Sequence, residues 1–217
     1  MKYDELKAYQ RAHREHFHPN LALRTHRALS WLNRAEQEDE DQDAQFIFLW
    51  IAFNSSYAVE IENQPKETER LQFTAFFDKI CDLDTDKRIY NALWSLFSSQ
   101  IRALLDNQYV YQPFWDFHNG RIPESEWIER FKSDKHTAAV ALANQDTVKV
   151  LSIIFSRLYT LRNQLIHGGS TWNSGANRKQ IHEGCAMLGT IVPLIIDIMM
   201  KNPNTLWGDA YYPVVSD

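Results

Sequence analysis

The chain has 217 residues, a net charge of −5, 44% hydrophobic residues and 13% aromatic residues. That length and apolar content are enough to bury one substantial core and exclude a disordered or low-complexity chain, and the acidic balance argues against broad, charge-driven coating of nucleic acid. Cys81 and Cys185 lack ligand spacing, the N-terminus MKYDELKAYQ has no apolar core, and the runs FIFLWIAF and IVPLIIDIMM are about half a bilayer span, so the expectation is a soluble, cytoplasmic, reduced protein with no membrane partner.

Only seven glycines and seven prolines occur. They sit between long stretches with helical periodicity, which predicts an all-α chain folded as one domain over residues 1–217. The first helix is expected over residues 3–18, with Tyr3, Leu6, His13 and Phe17 on one side. Within it HREHFH groups three histidines, but not at the spacing of a helical zinc pair, so it reads as a solvated basic face and no metal is expected. A second helix runs from Pro19 to about residue 36, with Arg24, Arg27 and Arg34 as surface cations. Residues 1–35 hold seven Lys or Arg against three acids, so a phosphate-binding face would be local.

The acidic break EQEDEDQD suits a solvated loop and the positive end of the next helix. That helix, from Ala44 to about residue 62, is nonpolar on every side between Phe46 and Phe53 and should be central. Asn54, Ser55, Ser56 and Tyr57 interrupt it, and Asn54 is a candidate supporting partner for the site described next. Helices follow over residues 66–81 and 86–106. The insert, approximately residues 82–145, then holds an aromatic, Pro-broken stretch YVYQPFWDFHNG, a short helix from IPESEWIERF and a small-residue helix from KSDKHTAAVALANQD. Its aromatics, near Arg121 and Arg130, either anchor the insert or stack on unpaired bases.

The next helix carries the chain's densest chemistry. Asp146 and Thr147 offer an N-cap and Gly168–Gly169 a left-handed stop, which places RNQLIH, residues 162–167, in the last turns. In projection Leu151, Phe155, Leu158, Leu165 and Ile166 share an arc that includes Arg162. A guanidinium leaning toward a core requires a carboxylate, carbonyls or an anionic ligand such as phosphate. Ser152, Ser156, Tyr159, Asn163 and His167 form a polar stripe beside that arc, and His167 sits at the negative helix pole, a place that favours a cation and suits an acid or base. The alternative is purely structural: His167 caps carbonyls while Arg162 makes an ion pair. The loop STWNSGAN offers Ser170, Thr171 and Trp172 as substrate contacts, with Arg178 and Lys179 adding charge. A final helix, about residues 177–201, presents Ile181, Cys185, Leu188, Val192, Ile195 and Met199 as a packing stripe, and the tail TLWGDAYYPVV should dock back on the bundle.

An Arg, a polar residue and a His five positions after the Arg, on a late helix of an all-helical chain, resembles the signature of the HEPN superfamily, and FIFLWIAFNSSY resembles its hydrophobic early helix. The resemblance implies a HEPN-like helical bundle, elaborated here by the helical, aromatic-rich insert. It implies a metal-independent endoribonuclease needing no cofactor, in a toxin–antitoxin, antiviral-defence or RNA-processing setting, where an antitoxin or regulatory protein is an expected partner. On that reading Arg162 clamps the scissile phosphate of single-stranded RNA, His167 is general acid or base and Asn163 orients them, with Asn54 and Tyr159 behind. Cleavage through the 2′-hydroxyl needs both a base and an acid, and one chain offers a single well-placed His, so a homodimer with a composite cleft is expected. The competing expectation is a non-catalytic HEPN-type module for dimerisation or for binding RNA or protein.

Overall fold

The apolar girdle of the third helix decides how the chain packs. A computed structural model describes residues 1–57, 67–209 and 212, and among them are ten α-helices and no strand. α1 (Tyr3–His13) and α2 (Pro19–Ala35) lead to α3 (Gln42–Tyr57), which starts where the Asp41 carboxylate accepts the Ala44 N–H at 3.0 Å. α3 buries Phe46, Leu49, Trp50, Ala52 and Phe53. It lies against α2 on one side and α10 (Arg178–Lys201) on another, while α4 (Glu67–Leu83) and α9 (Thr147–Ile166) pair with each other. Their seam is aromatic, with the Phe155 ring 4.4 Å from Phe53 and 4.7 Å from Phe77.

Close approach of α10 depends on Gly184. A Cβ there would lie 2.7 Å from Phe46 Cε2 and 3.2 Å from Leu158 Cδ2, so only a residue without a side chain lets α10 wedge against α3 and α9. The stripe Ile181, Cys185, Leu188, Val192, Ile195 and Met199 is fully or nearly fully buried. Taken with its flanks, α10 has 24 residues and is long and apolar enough to cross a membrane by length and composition, which the uninterrupted run alone understated. In this bundle 72% of that apolar window is buried.

Several sequence expectations change. The first helix ends at His13, and Arg14–His16 form a single 3-10 turn before Pro19. Residues 58–66, where the central helix was expected to end, lie outside the described residues. The continuous helix expected over residues 86–106 is α5 (Arg88–Asn91), a π turn (Ala92–Leu96) and α6 (Ser98–Asp106). The wide turn shifts register, so Leu93, Phe97 and Ile101 are buried while Leu96 is exposed. After α7 (Gln112–His118), the two helices expected in the rest of the insert are one, α8 (Glu124–Ala143), because the change in composition there brings no Gly or Pro.

Arg24 is not a surface cation. It is 1% exposed, and its guanidinium donates to Ser56 O (3.0 Å), Asp209 O (2.6 Å) and Gly208 O (3.4 Å). Burial lowers its pKa, with nearby Asp209 opposing the shift. The tail docks as far as Asp209 through those carbonyls and through buried Trp207, whose indole N–H donates to Asn202 O, while residues 210–211 and 213–217 lie outside the described residues.

Candidate functional site

The motif sits where α9 emerges from the bundle. Along its first half the helix is buried nearly all round. Ser152 donates to Val148 O and accepts from Thr74 of α4, and Ser156 donates to Ser152 O, so the expected polar stripe is sealed at that end. The expected apolar arc also opens, since Leu165 is half-buried and Ile166 is exposed. What emerges together is Tyr159, Arg162, Asn163, Ile166 and His167.

The helix stop is built by backbone bonds. Gly169 N–H donates to Gln164 O at 2.7 Å, Gly168 N–H to Leu165 O at 3.3 Å, and Gly168 has φ +69°. This paired closure is the Schellman arrangement, which favours a residue without a Cβ at the left-handed position. His167 therefore occupies the C-cap itself, exposed, and among the described residues its ring makes no hydrogen bond. The capping is done by its backbone, whose N–H donates to Asn163 O at 3.0 Å.

Arg162 is half-buried. Its Nη1 donates to Asn163 Oδ1 at 2.9 Å, and the guanidinium lies 5.8 Å from the Tyr159 ring centroid. Its Nε is shielded from solvent and has no hydrogen-bond partner, and among the described residues no carboxylate pairs with the side chain. A guanidinium held beside an aromatic face and a neutral amide retains its attraction for an incoming anion. Tyr159 lies between this group and the core, 6.0 Å from the Trp50 ring. Asn54 is half-buried and makes no hydrogen bond to Arg162 or His167.

The loop after the motif is fastened to the start of α3. Asp43, 8% exposed, accepts Asn173 N–H (2.7 Å) and Arg178 Nη2 (3.0 Å) on the same oxygen, while Arg178 Nε donates to Ser174 O. Arg178 is thereby engaged as a latch. Trp172 is 73% exposed and its indole N–H donates to Asp41 Oδ2 at 2.9 Å. The Ala44 amide holds the Asp41 carboxyl below its ordinary value, opposed by burial and helped to a lesser degree by that indole. Lys179 is exposed, 3.9 Å from Glu183. Ser170 is half-buried, and exposed Thr171 accepts Ser174 N–H through its carbonyl.

Compared with protein-family models, curated proteins and solved structures, the chain matches none.

Sequence reasoning missed Asp41, Asp43 and Gln164. The acidic run read as a solvated break, although two of its carboxylates shape the loop. Gln164, hidden inside the motif, bridges its flanks by donating to Tyr109 O (2.6 Å) and accepting from Asn177 Nδ2 (2.8 Å). Among the described residues, no three His, Cys, Asp or Glu side chains gather where they would hold a metal. In HREHFH, His13 Nδ1 donates to Tyr9 O and its ring stacks on Tyr9 at 4.0 Å, while His18 Nδ1 accepts Asn20 N–H.

Proposed function

We propose that the chain is a metal-independent, HEPN-type endoribonuclease that cleaves single-stranded RNA by attack of the 2′-hydroxyl on the adjacent phosphate. The observation that carries this reading is Arg162: a partly buried cation whose hidden Nε is unsatisfied and which, among the described residues, has no carboxylate partner, five residues before an exposed histidine whose ring makes no hydrogen bond among those residues. A structural arginine at such depth would be expected to have its hidden donors met by carboxylates or, as in Arg24, by carbonyls.

In the proposed mechanism a phosphodiester occupies the place beside Arg162, whose remaining donors offset charge developing on the non-bridging oxygens. Asn163 holds the guanidinium in position. His167 takes the proton from the 2′-hydroxyl or gives one to the departing 5′-oxygen. The second of these roles falls to His167 of another copy, so the active species is a homodimer with the two motifs facing. The products are a 2′,3′-cyclic phosphate and a 5′-hydroxyl. Trp172, open on one side of the site, offers a face on which an unpaired base stacks, worth about 1–3 kcal/mol.

The test is cleavage of an end-labelled mixed RNA in excess chelator by wild type, Arg162→Ala and His167→Ala, after confirming that all three fold and dimerise alike. Loss of cutting in both variants supports the proposal. Cleavage of an all-DNA strand, or unchanged cutting by either variant, refutes it. RNA binding with no cutting by any of the three favours the module that binds without catalysis.

A further inference from the structure

A second feature lies on the same helix but outside the motif. An open cleft of about 390 Å³ separates α9 from the segment preceding α7 and from α8. Ile153 and Pro113 give it apolar walls, while Tyr111, Arg130, Asp134 and Arg157 supply its polar groups. Arg157 is 4% exposed and its guanidinium lies 4.1 Å over the Tyr111 ring. The Tyr111 hydroxyl donates to Asp134 Oδ2 at 3.0 Å, and Arg130 reaches out from α8 with its side chain more than half exposed and its Nη2 paired with Glu126 at 2.5 Å, a surface pair that a base could displace. Tyr111 and Arg157 thus form a rigid floor. Asp134 and Arg130 stand at the rim.

The cleft's position matters as much as its lining. Thr160, which also lines it, precedes His167 by seven residues, close to two helical turns, so both fall on nearly the same face of α9 about 10 Å apart along the axis. Arg162, two residues after Thr160, leaves α9 from nearly the opposite side, so it is a strand passing His167 on its way round the exposed end of the helix to Arg162 that would bring a nucleotide over this opening. A lining that holds both a carboxylate and guanidinium groups disfavours a bare anion or a bare cation. It fits a flat ligand with donors on one edge and acceptors on another, and guanine is the nucleobase that presents two adjacent donors to a carboxylate together with the O6/N7 pair preferred by arginine.

We propose that this cleft is a guanine-recognising subsite for the RNA strand brought to the motif, Asp134 accepting from the base's donor edge and Arg130 donating to O6 and N7. The proposal rests on the reading of the chain as an RNA endoribonuclease for the identity of the strand. Its test uses 2′-O-methyl octamers, which lack the attacking hydroxyl: all-uridine, or uridine with a single G, A or C. Binding to the wild-type protein is followed by fluorescence anisotropy, alongside Asp134→Asn and Asp4→Asn. The single-G octamer should bind roughly five- to a hundredfold more tightly than the single-A and all-U octamers. Asp134→Asn should erase that preference, while Asp4→Asn, which neutralises an exposed carboxylate on α1 that does not line the cleft, should retain it. Equal binding of the G and A octamers, binding of none, or a preference that survives Asp134→Asn overturns the inference. Parallel assays on unmodified octamers separate the two readings. Cutting at the motif without G preference sinks the subsite alone, whereas G-selective binding without cutting upholds the subsite and sinks the endoribonuclease.

Discussion

Asp43 is predicted to be the residue on which the shape of the loop beside His167 depends. Replacing it with Ala leaves the Asn173 N–H and one arm of the Arg178 guanidinium without the oxygen they share at 2.7 and 3.0 Å. A fully buried ion pair broken on one side costs about 3–5 kcal/mol, but the Arg178 side chain is 29% exposed and water can reach it, so the expected cost is about 2 kcal/mol. For a chain of this size that lowers Tm by roughly 4–8 °C. Arg178→Ala should cost less, since Asp43 keeps the Asn173 amide, and the double variant should fall short of the sum by about 1 kcal/mol. Urea unfolding of the four proteins gives the coupling energy, and hydrogen exchange should show faster opening at residues 172–177 with α9 unchanged. Strict additivity, or loop exchange no faster than in the wild type, would refute the latch.

Three further outcomes follow from the geometry. Arg162→Lys keeps the charge but loses the planar fork, so RNA cleavage should fall at least about a hundredfold while Tm stays within a few degrees; near-wild-type rates would mean that the fork makes no specific contact. Gly184→Val should destabilise by about 1–3 kcal/mol through its collision with Phe46, measured by urea unfolding, and a companion Phe46→Leu change should recover part of the loss. Because Asp41's carboxyl titrates below its ordinary value in the folded chain, its contribution is present above the unfolded pKa and lost as pH falls through the folded one. Trp172 emission should therefore change on acidification below roughly pH 4 and hold steady from pH 5 to 8, and Asp41→Asn should remove the acid transition.

Much of the bundle was legible because packing agrees with local pattern. The four-and-three spacing from Ile181 to Met199 marks a buried stripe, and Asp146 with Gly168 bounds α9 within a residue. What sequence hid were features set by distant partners. Arg24 looks like any surface cation until Gly208 and Asp209 return to it, and Asp43 belongs to an acidic run whose composition signals solvent. Helical projection placed Arg162 on the apolar arc. It could not say that the arc leaves the core at that height, which depends on where α9's neighbours end. The break at Ala92–Leu96 was equally invisible, because a π turn is a response to competing burial on two faces and has no residue signature of its own.

The hydrogen bonds that shape the loop beside His167 join residues 130 and 131 positions apart in sequence. Contacts of that span form late, since a long segment must be brought to order before they repay its closure. The nascent chain would therefore carry the motif on a completed helix well before the neighbouring loop takes its shape. On the proposed activity, cleavage competence arrives with a late docking step of folding, and chains that have not reached it are harmless to the RNA around them.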